Sequence, residues 1–148
     1  VLLRQTRERV LAWFAEAGRD LPWRATRDPY RVLVAEVLAQ QTQAARAAAA
    51  WPRFLERFPD VAALAAAAPA EVLRAWQGLG YNRRALALRR TAQAVVERGG
   101  WPDTVEELAA LPGIGPYTAR AVACFALEQP VAPVDTNVAR VLVRSLTG

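Results

Sequence analysis

Apolar residues recur along this chain mainly at spacings of three and four, and alternation every second residue is nearly absent. That periodicity predicts helices from end to end. Residues 4–17 predict a first helix with Val10, Leu11 and Phe14 on one face, stopped by Gly18. The stretch 19–27, which carries Leu21-Pro22-Trp23-Arg24, reads as a loop. Asp28 followed by Pro29 supplies a cap and a first helical residue for a helix running to about Gln41. The next helix, over 43–57, holds Pro52 near its middle, where the missing amide and the ring predict a break or kink. Short helices follow at 61–67 and 70–76, then a longer one at 82–98. Thr104 and Glu107 are spaced as a capping box for a helix ending near Leu111. Another helix spans about 117–127, and Asp135 caps a last one at 136–146. The last helix carries a stripe of Val138, Val141, Leu142 and Ser145. It is expected to pack on Val10, Leu11 and Phe14, or on a second copy.

One segment repeats. Leu73-Arg-Ala-Trp-Gln-Gly-Leu-Gly-Tyr aligns with Leu108-Ala-Ala-Leu-Pro-Gly-Ile-Gly-Pro, so Gly78 and Gly80 match Gly113 and Gly115. Each copy reads helix, Gly-apolar-Gly, helix. Glycine lets a backbone approach a ligand with no side chain between. The following helix turns its first amides toward that ligand, an arrangement suited to phosphate. A tight corner between two helices would use the same residues.

Composition narrows the partners. The net charge is +5, and all 19 basic residues are arginine. Arginine pairs with phosphate through two parallel hydrogen bonds, so a polyanion such as nucleic acid is the expected partner. A genome that favours arginine codons would give the same bias. With no histidine and a single cysteine, Cys124, the chain offers neither a histidine-based triad nor a multi-cysteine metal site, and metal ligands are expected to be none. No run of about 20 uncharged apolar residues suggests a membrane span. A cytoplasmic protein is expected.

Two carboxylates stand out. Glu36 sits in Val32-Leu33-Val34-Ala35-Glu36-Val37-Leu38-Ala39, an apolar helical run. It is either an ordinary solvated glutamate or a partly buried one whose raised pKa suits a general acid. Asp135, in Pro133-Val134-Asp135-Thr136-Asn137-Val138, is accounted for as a helix cap. It also offers the second carboxylate that cleavage of a glycosidic bond uses.

These segments together resemble the MutY-type adenine DNA glycosylases of the helix–hairpin–helix glycosylase superfamily. The motifs are Leu21-Pro22-Trp23-Arg24 with Asp28-Pro29-Tyr30, Ala35-Glu36-Val37-Leu38-Ala39-Gln40-Gln41-Thr42-Gln43, Gly78-Leu79-Gly80-Tyr81, Leu111-Pro112-Gly113-Ile114-Gly115 and Val134-Asp135-Thr136-Asn137-Val138. They occur in family order over about residues 20–146. Ala39 and Thr136 depart from the residues most members carry there. The resemblance implies an all-α, endonuclease III-like fold. Residues 28–130 would form a six-helix barrel, and 1–20 with 131–148 part of a second subdomain.

The resemblance also assigns roles. Glu36 would protonate adenine, and Asp135 would stabilise the sugar cation or a covalent sugar intermediate, supported by Tyr117 and Asn137. Arg24 would hold the flipped adenine. Gln41 and Tyr81 would wedge into the duplex, with Thr42 beside the opposite base. Gly113 and Gly115 would present amides to a phosphate, and carbonyls of the 111–115 hairpin would hold a monovalent cation. The family's four-cysteine iron–sulfur region lies beyond the segment present here, so no cofactor is expected in this chain. The sequence reads as a truncated member or a cluster-less relative, acting as a monomer on double-stranded DNA with mispaired adenine.

Strand-cleaving relatives carry a lysine at the Tyr117 position, and this chain has no lysine. A Schiff base to a side-chain amine is therefore excluded, leaving a monofunctional glycosylase. The alternatives are a mismatch thymine glycosylase of the same superfamily and a DNA-binding module without catalysis.

Overall fold

A computed structural model describes residues 2–146; Val1, Thr147 and Gly148 lie outside it. The described residues form nine α-helices and one 3₁₀ turn: α1 (Leu2–Ala17), the turn Pro22–Ala25, α2 (Pro29–Ala39), α3 (Ala44–Arg57), α4 (Val61–Ala66), α5 (Pro69–Ala75), α6 (Arg83–Glu97), α7 (Val105–Ala110), α8 (Pro116–Phe125) and α9 (Thr136–Leu146). No strand occurs among them. The expected all-α class is what folds.

Helix α2 lies at the centre because its sequence is apolar nearly all round. Val32, Leu33, Val34, Ala35, Val37 and Leu38 are buried. It packs on α3, α8 and α6, while α4 and α5 pack on α6, and α7 on α8. Buried polar tips are satisfied on the same frame. The Tyr30 hydroxyl donates to Phe58 O at 2.7 Å, and Trp51 Nε1 donates to Arg31 O at 3.0 Å.

The helix starts follow the capping residues. Asp28, Asp60, Thr104 and Asp135 each accept a backbone amide of the first turn of the helix that follows. The Thr104–Glu107 box closes only by half: the Glu107 amide donates to the Thr104 hydroxyl, but the Glu107 carboxylate turns to Arg98. Pro52 does not break α3, which continues unbroken to Arg57. The third-turn amide it removes lies on an exposed side of the helix, and the neighbouring Trp51, Phe54 and Leu55 are buried and hold the segment in place. Helix α2 stops two residues short of Gln41, whose φ of +52° is incompatible with a helix.

The terminal helices depart most from expectation. Every residue from Arg4 to Ala17 and from Thr136 to Ser145 is exposed. The stripes of Val10, Leu11 and Phe14 and of Val138, Val141 and Leu142 therefore face solvent instead of each other. Phe14 is drawn instead toward Arg24, whose guanidinium carbon lies 4.7 Å from its ring centroid.

Candidate active site and nucleic-acid interface

Glu36 is the one residue of α2 between Val32 and Leu38 that is not fully buried. It opens into a cavity of about 450 Å³ lined also by Phe14, Trp23, Arg24, Val32 and Phe125. The walls are largely apolar, and burial pushes the Glu36 carboxyl up to about 7, with a hydrogen bond from Tyr117 pulling back the other way. Near neutrality the group is divided between acid and carboxylate. Of the two expected states of Glu36, the partly buried one is observed.

Tyr117 sits in the first turn of α8, just after Pro116, and is half-buried. Its hydroxyl is held up at about 12, first by burial, then by the charges of Glu36 and Asp135. It thus stands within electrostatic reach of both carboxylates. Asp135 is half-buried, and its Oδ1 accepts the Val138 amide at 2.7 Å. The cap fixes Asp135, whose charge acts on the Tyr117 hydroxyl. Asn137 shares that first turn of α9 and is exposed. Arg24 joins the Glu36 cavity, its Nη1 held by the Arg19 carbonyl.

Gln41 and Tyr81 come together on a different face. They line a groove of about 360 Å³ with Gln40, Arg83 and Arg84. Both are exposed, and both have left-handed backbone, with φ of +52° and +47°. Non-glycine residues carry that conformation at a cost of about 1–2 kcal/mol, so both candidate contact residues of the groove sit on strained backbone. Thr42 lies beside it, its hydroxyl within 3.3 Å of Gln40 O.

The 111–115 hairpin links α7 to α8. Gly113 has a φ of +85°, and a Cβ there would meet Ala87 Cβ at 3.0 Å. Its glycine is required by the fold. Gly115 has a φ of −89°, and a Cβ there would meet nothing within 4 Å. No contact among the described residues requires glycine at 115. Both residues are exposed, and their amides donate to no described residue. Pro116 at the first position of α8 shapes the helix start that follows.

Some residues that shape the candidate site were invisible in the sequence. Arg84, Thr91 and Phe125 gave no signal there. The Thr91 hydroxyl lies 2.6 Å from Pro112 O and seats the hairpin on α6. Thr118, next to Tyr117, accepts from Gln40 Nε2 at 3.2 Å and so joins the groove to α8, the helix that carries Tyr117. For the expected cation, the Leu111 and Pro112 carbonyls each already accept one hydrogen bond, from Ile114 N and Thr91, and each keeps a second lone pair.

The chain is similar to known proteins over most of its length. The chain is 49% identical over 142 residues to the adenine DNA glycosylase of Mycobacterium tuberculosis (strain CDC 1551 / Oshkosh), covering 94% of this chain and 47% of that one. It thus spans about half the length of that relative. A solved thermostable thymine-DNA glycosylase superposes with a TM-score of 0.84 at 32% identity, over 90% of this chain and 63% of that one. A non-covalent endonuclease III–DNA complex does so with a TM-score of 0.81 at 26% identity, over 95% and 65%. The family described as HhH-GPD superfamily base excision DNA repair protein matches residues 34–146, a span that takes in Glu36, both Gly-x-Gly turns, Tyr117 and Asp135. With that span covering most of the chain, this protein belongs to the HhH-GPD superfamily of base excision DNA repair proteins.

Proposed function

We propose that this chain forms the catalytic core of a monofunctional adenine DNA glycosylase, which draws a mispaired adenine out of double-stranded DNA and hydrolyses its bond to the sugar. The observation that carries this reading is Glu36. It is a carboxyl group poised near neutrality in an apolar cavity, hydrogen-bonded to Tyr117, a hydroxyl that also feels the charge of a second carboxylate, Asp135. The relatives named adenine DNA glycosylase favour adenine as the base.

In this reading the extruded base enters the Glu36 cavity, with Arg24 at its edge. Protonated Glu36 gives its proton to a ring nitrogen, and the glycosidic bond breaks with its electron pair going to the base. The Asp135 carboxylate faces the positive sugar, and water completes the hydrolysis. Tyr117 feels the charges of both carboxylates, and Asn137 lies on the turn that follows Asp135. Gln41 and Tyr81 fill the vacated stack beside Thr42, since extrusion costs a few kcal/mol. The Gly113 and Gly115 amides receive a phosphate. The hairpin carbonyls of residues 111–115 would hold a monovalent cation, which adds positive charge there. With no lysine, strand cleavage through an amine adduct is not part of the reaction. A monomer in a DNA-containing, cytoplasmic setting goes with this role.

The test is single-turnover base release from a duplex with adenine opposite 8-oxoguanine, read as strand scission after alkali. Glu36→Gln is expected to cut the rate by about 10²–10⁴-fold with duplex affinity nearly kept. In the parent, the rate should fall as pH rises through about 7, because the acid form is the reactive one. Release of thymine from a G:T duplex in preference to adenine would replace this reading with a mismatch thymine glycosylase. Tight binding with no release of either base would leave a DNA-binding module.

A further inference from the structure

Arg84 is the buried arginine of α6, 8% exposed, between the two segments that carry Gln41 and Tyr81. Its Nη1 donates to Val37 O at 2.9 Å and to Gln40 O. Its Nη2 reaches Thr42 Oγ1 at 3.2 Å, Leu79 O at 3.2 Å and Gly80 O at 3.1 Å. The guanidinium also lies over the Trp76 and Tyr81 rings, 5.2 and 5.7 Å from their centroids. One side chain therefore grips the residues on both sides of Gln41 and the two residues before Tyr81. Gln41 and Tyr81 are themselves two of the three described non-glycine residues with left-handed φ. Such a conformation persists only where the surroundings over-determine it. The Arg84 hydrogen bonds are the feature common to both segments.

A lysine cannot replace this arrangement. The fork presents a fixed plane of donors toward carbonyls on opposite sides, whereas an ammonium offers three donors from one point. Gln40, held through its carbonyl, also donates to Thr118 on α8, so the joined segments are referenced to the helix that carries Tyr117. We infer that Arg84 is a positioning residue that locks the 40–42 and 79–81 segments into one rigid unit, so that Gln41 and Tyr81 enter a duplex together. The functional half rests on the wedge role proposed above for these two residues; the clamp itself does not.

Two measurements test it. In the free protein, Arg84→Lys and Arg84→Gln should speed amide exchange of both Thr42 and Leu79 by at least about ten-fold. Those amides bond to Ala39 O and Trp76 O in the native loops. The comparison variant is Val95→Ala, in the core at the far end of α6, which lowers stability without touching either loop. Speeding of one loop only, or equal speeding by Val95→Ala, would overturn the clamp. With DNA, unstacking is read from 2-aminopurine placed beside the mispaired base. The effects of Gln41→Ala and Tyr81→Ala should be non-additive in the parent and in Val95→Ala, and become additive in Arg84→Lys. Additivity already in the parent would overturn the joint entry. A parent chain that unstacks nothing would remove the wedge reading and the joint entry with it, while the exchange result still decides the clamp.

Discussion

The two Gly-x-Gly copies begin as the same structure and end as different ones. In both, a β-turn closes by an amide-to-carbonyl bond, Leu79 N to Trp76 O at 3.1 Å and Ile114 N to Leu111 O at 3.2 Å. In both, the first glycine takes the left-handed conformation, with φ of +84° at Gly78 and +85° at Gly113. The second glycine then diverges: Gly80 has a φ of +73°, Gly115 one of −89°. The residue that follows explains the split. Pro116 pushes the residue before it into extended backbone, where Gly115 sits with ψ of 173°. Tyr81 imposes no such rule and itself turns left-handed. A shared string thus makes one turn that feeds a helix N-terminus and another that raises an aromatic ring into solvent. The difference teaches that one residue after a glycine motif decides whether it presents amides or a side chain.

The largest effect should come at the first glycine of the hairpin. Gly113→Ala meets both a left-handed backbone and Ala87, so it should cost about 2–4 kcal/mol in denaturant unfolding. A near-neutral result would mean that the hairpin is not seated on α6 as described. Next, Thr91→Val removes the hydroxyl that reaches Pro112 O and should cost about 1–2 kcal/mol. Exchange should quicken in residues 111–115 and stay unchanged in 76–81; equal quickening would erase the distinction between the copies.

A smaller cost is expected in the other turn. A Cβ at Gly78 or Gly80 meets nothing within 4 Å, so Gly78→Ala and Gly80→Ala should each cost only the backbone strain, about 1–2 kcal/mol. Gly78→Ala matching Gly113→Ala would show that Ala87 contributes nothing to the contrast. The smallest change in stability belongs to Gly115→Ala, within about 0.5 kcal/mol, because its backbone suits any residue. Its effect should appear in binding instead: about ten-fold weaker affinity for any duplex, since an amide-to-phosphate contact reads no sequence. A loss confined to one DNA sequence would contradict a phosphate contact.

The sequence by itself determined the helices and their starts. Asp28-Pro29, Thr104 and Asp135 announce their caps because capping is a local bond between a side chain and an amide three residues on. The apolar run around Glu36 likewise announced a helix, while its place at the centre came from the fold. Family motifs carried the site residues, and the fold brings Glu36, Tyr117 and Asp135 into one electrostatic group. What only the tertiary structure decided was everything set by distant neighbours. Whether Glu36 was solvated depended on cavity walls from Trp23, Arg24 and Phe125, far apart in the chain. The different reasons for Gly113 and Gly115 depended on Ala87, in another helix. Arg84 was one arginine among many until the fold wrapped two loops around it. Even Pro52 stayed inside a helix because burial of its neighbours outweighed the bond it removes. Local chemistry is written in short windows of sequence, whereas burial, strain and shared hydrogen bonds exist only once the chain has closed on itself.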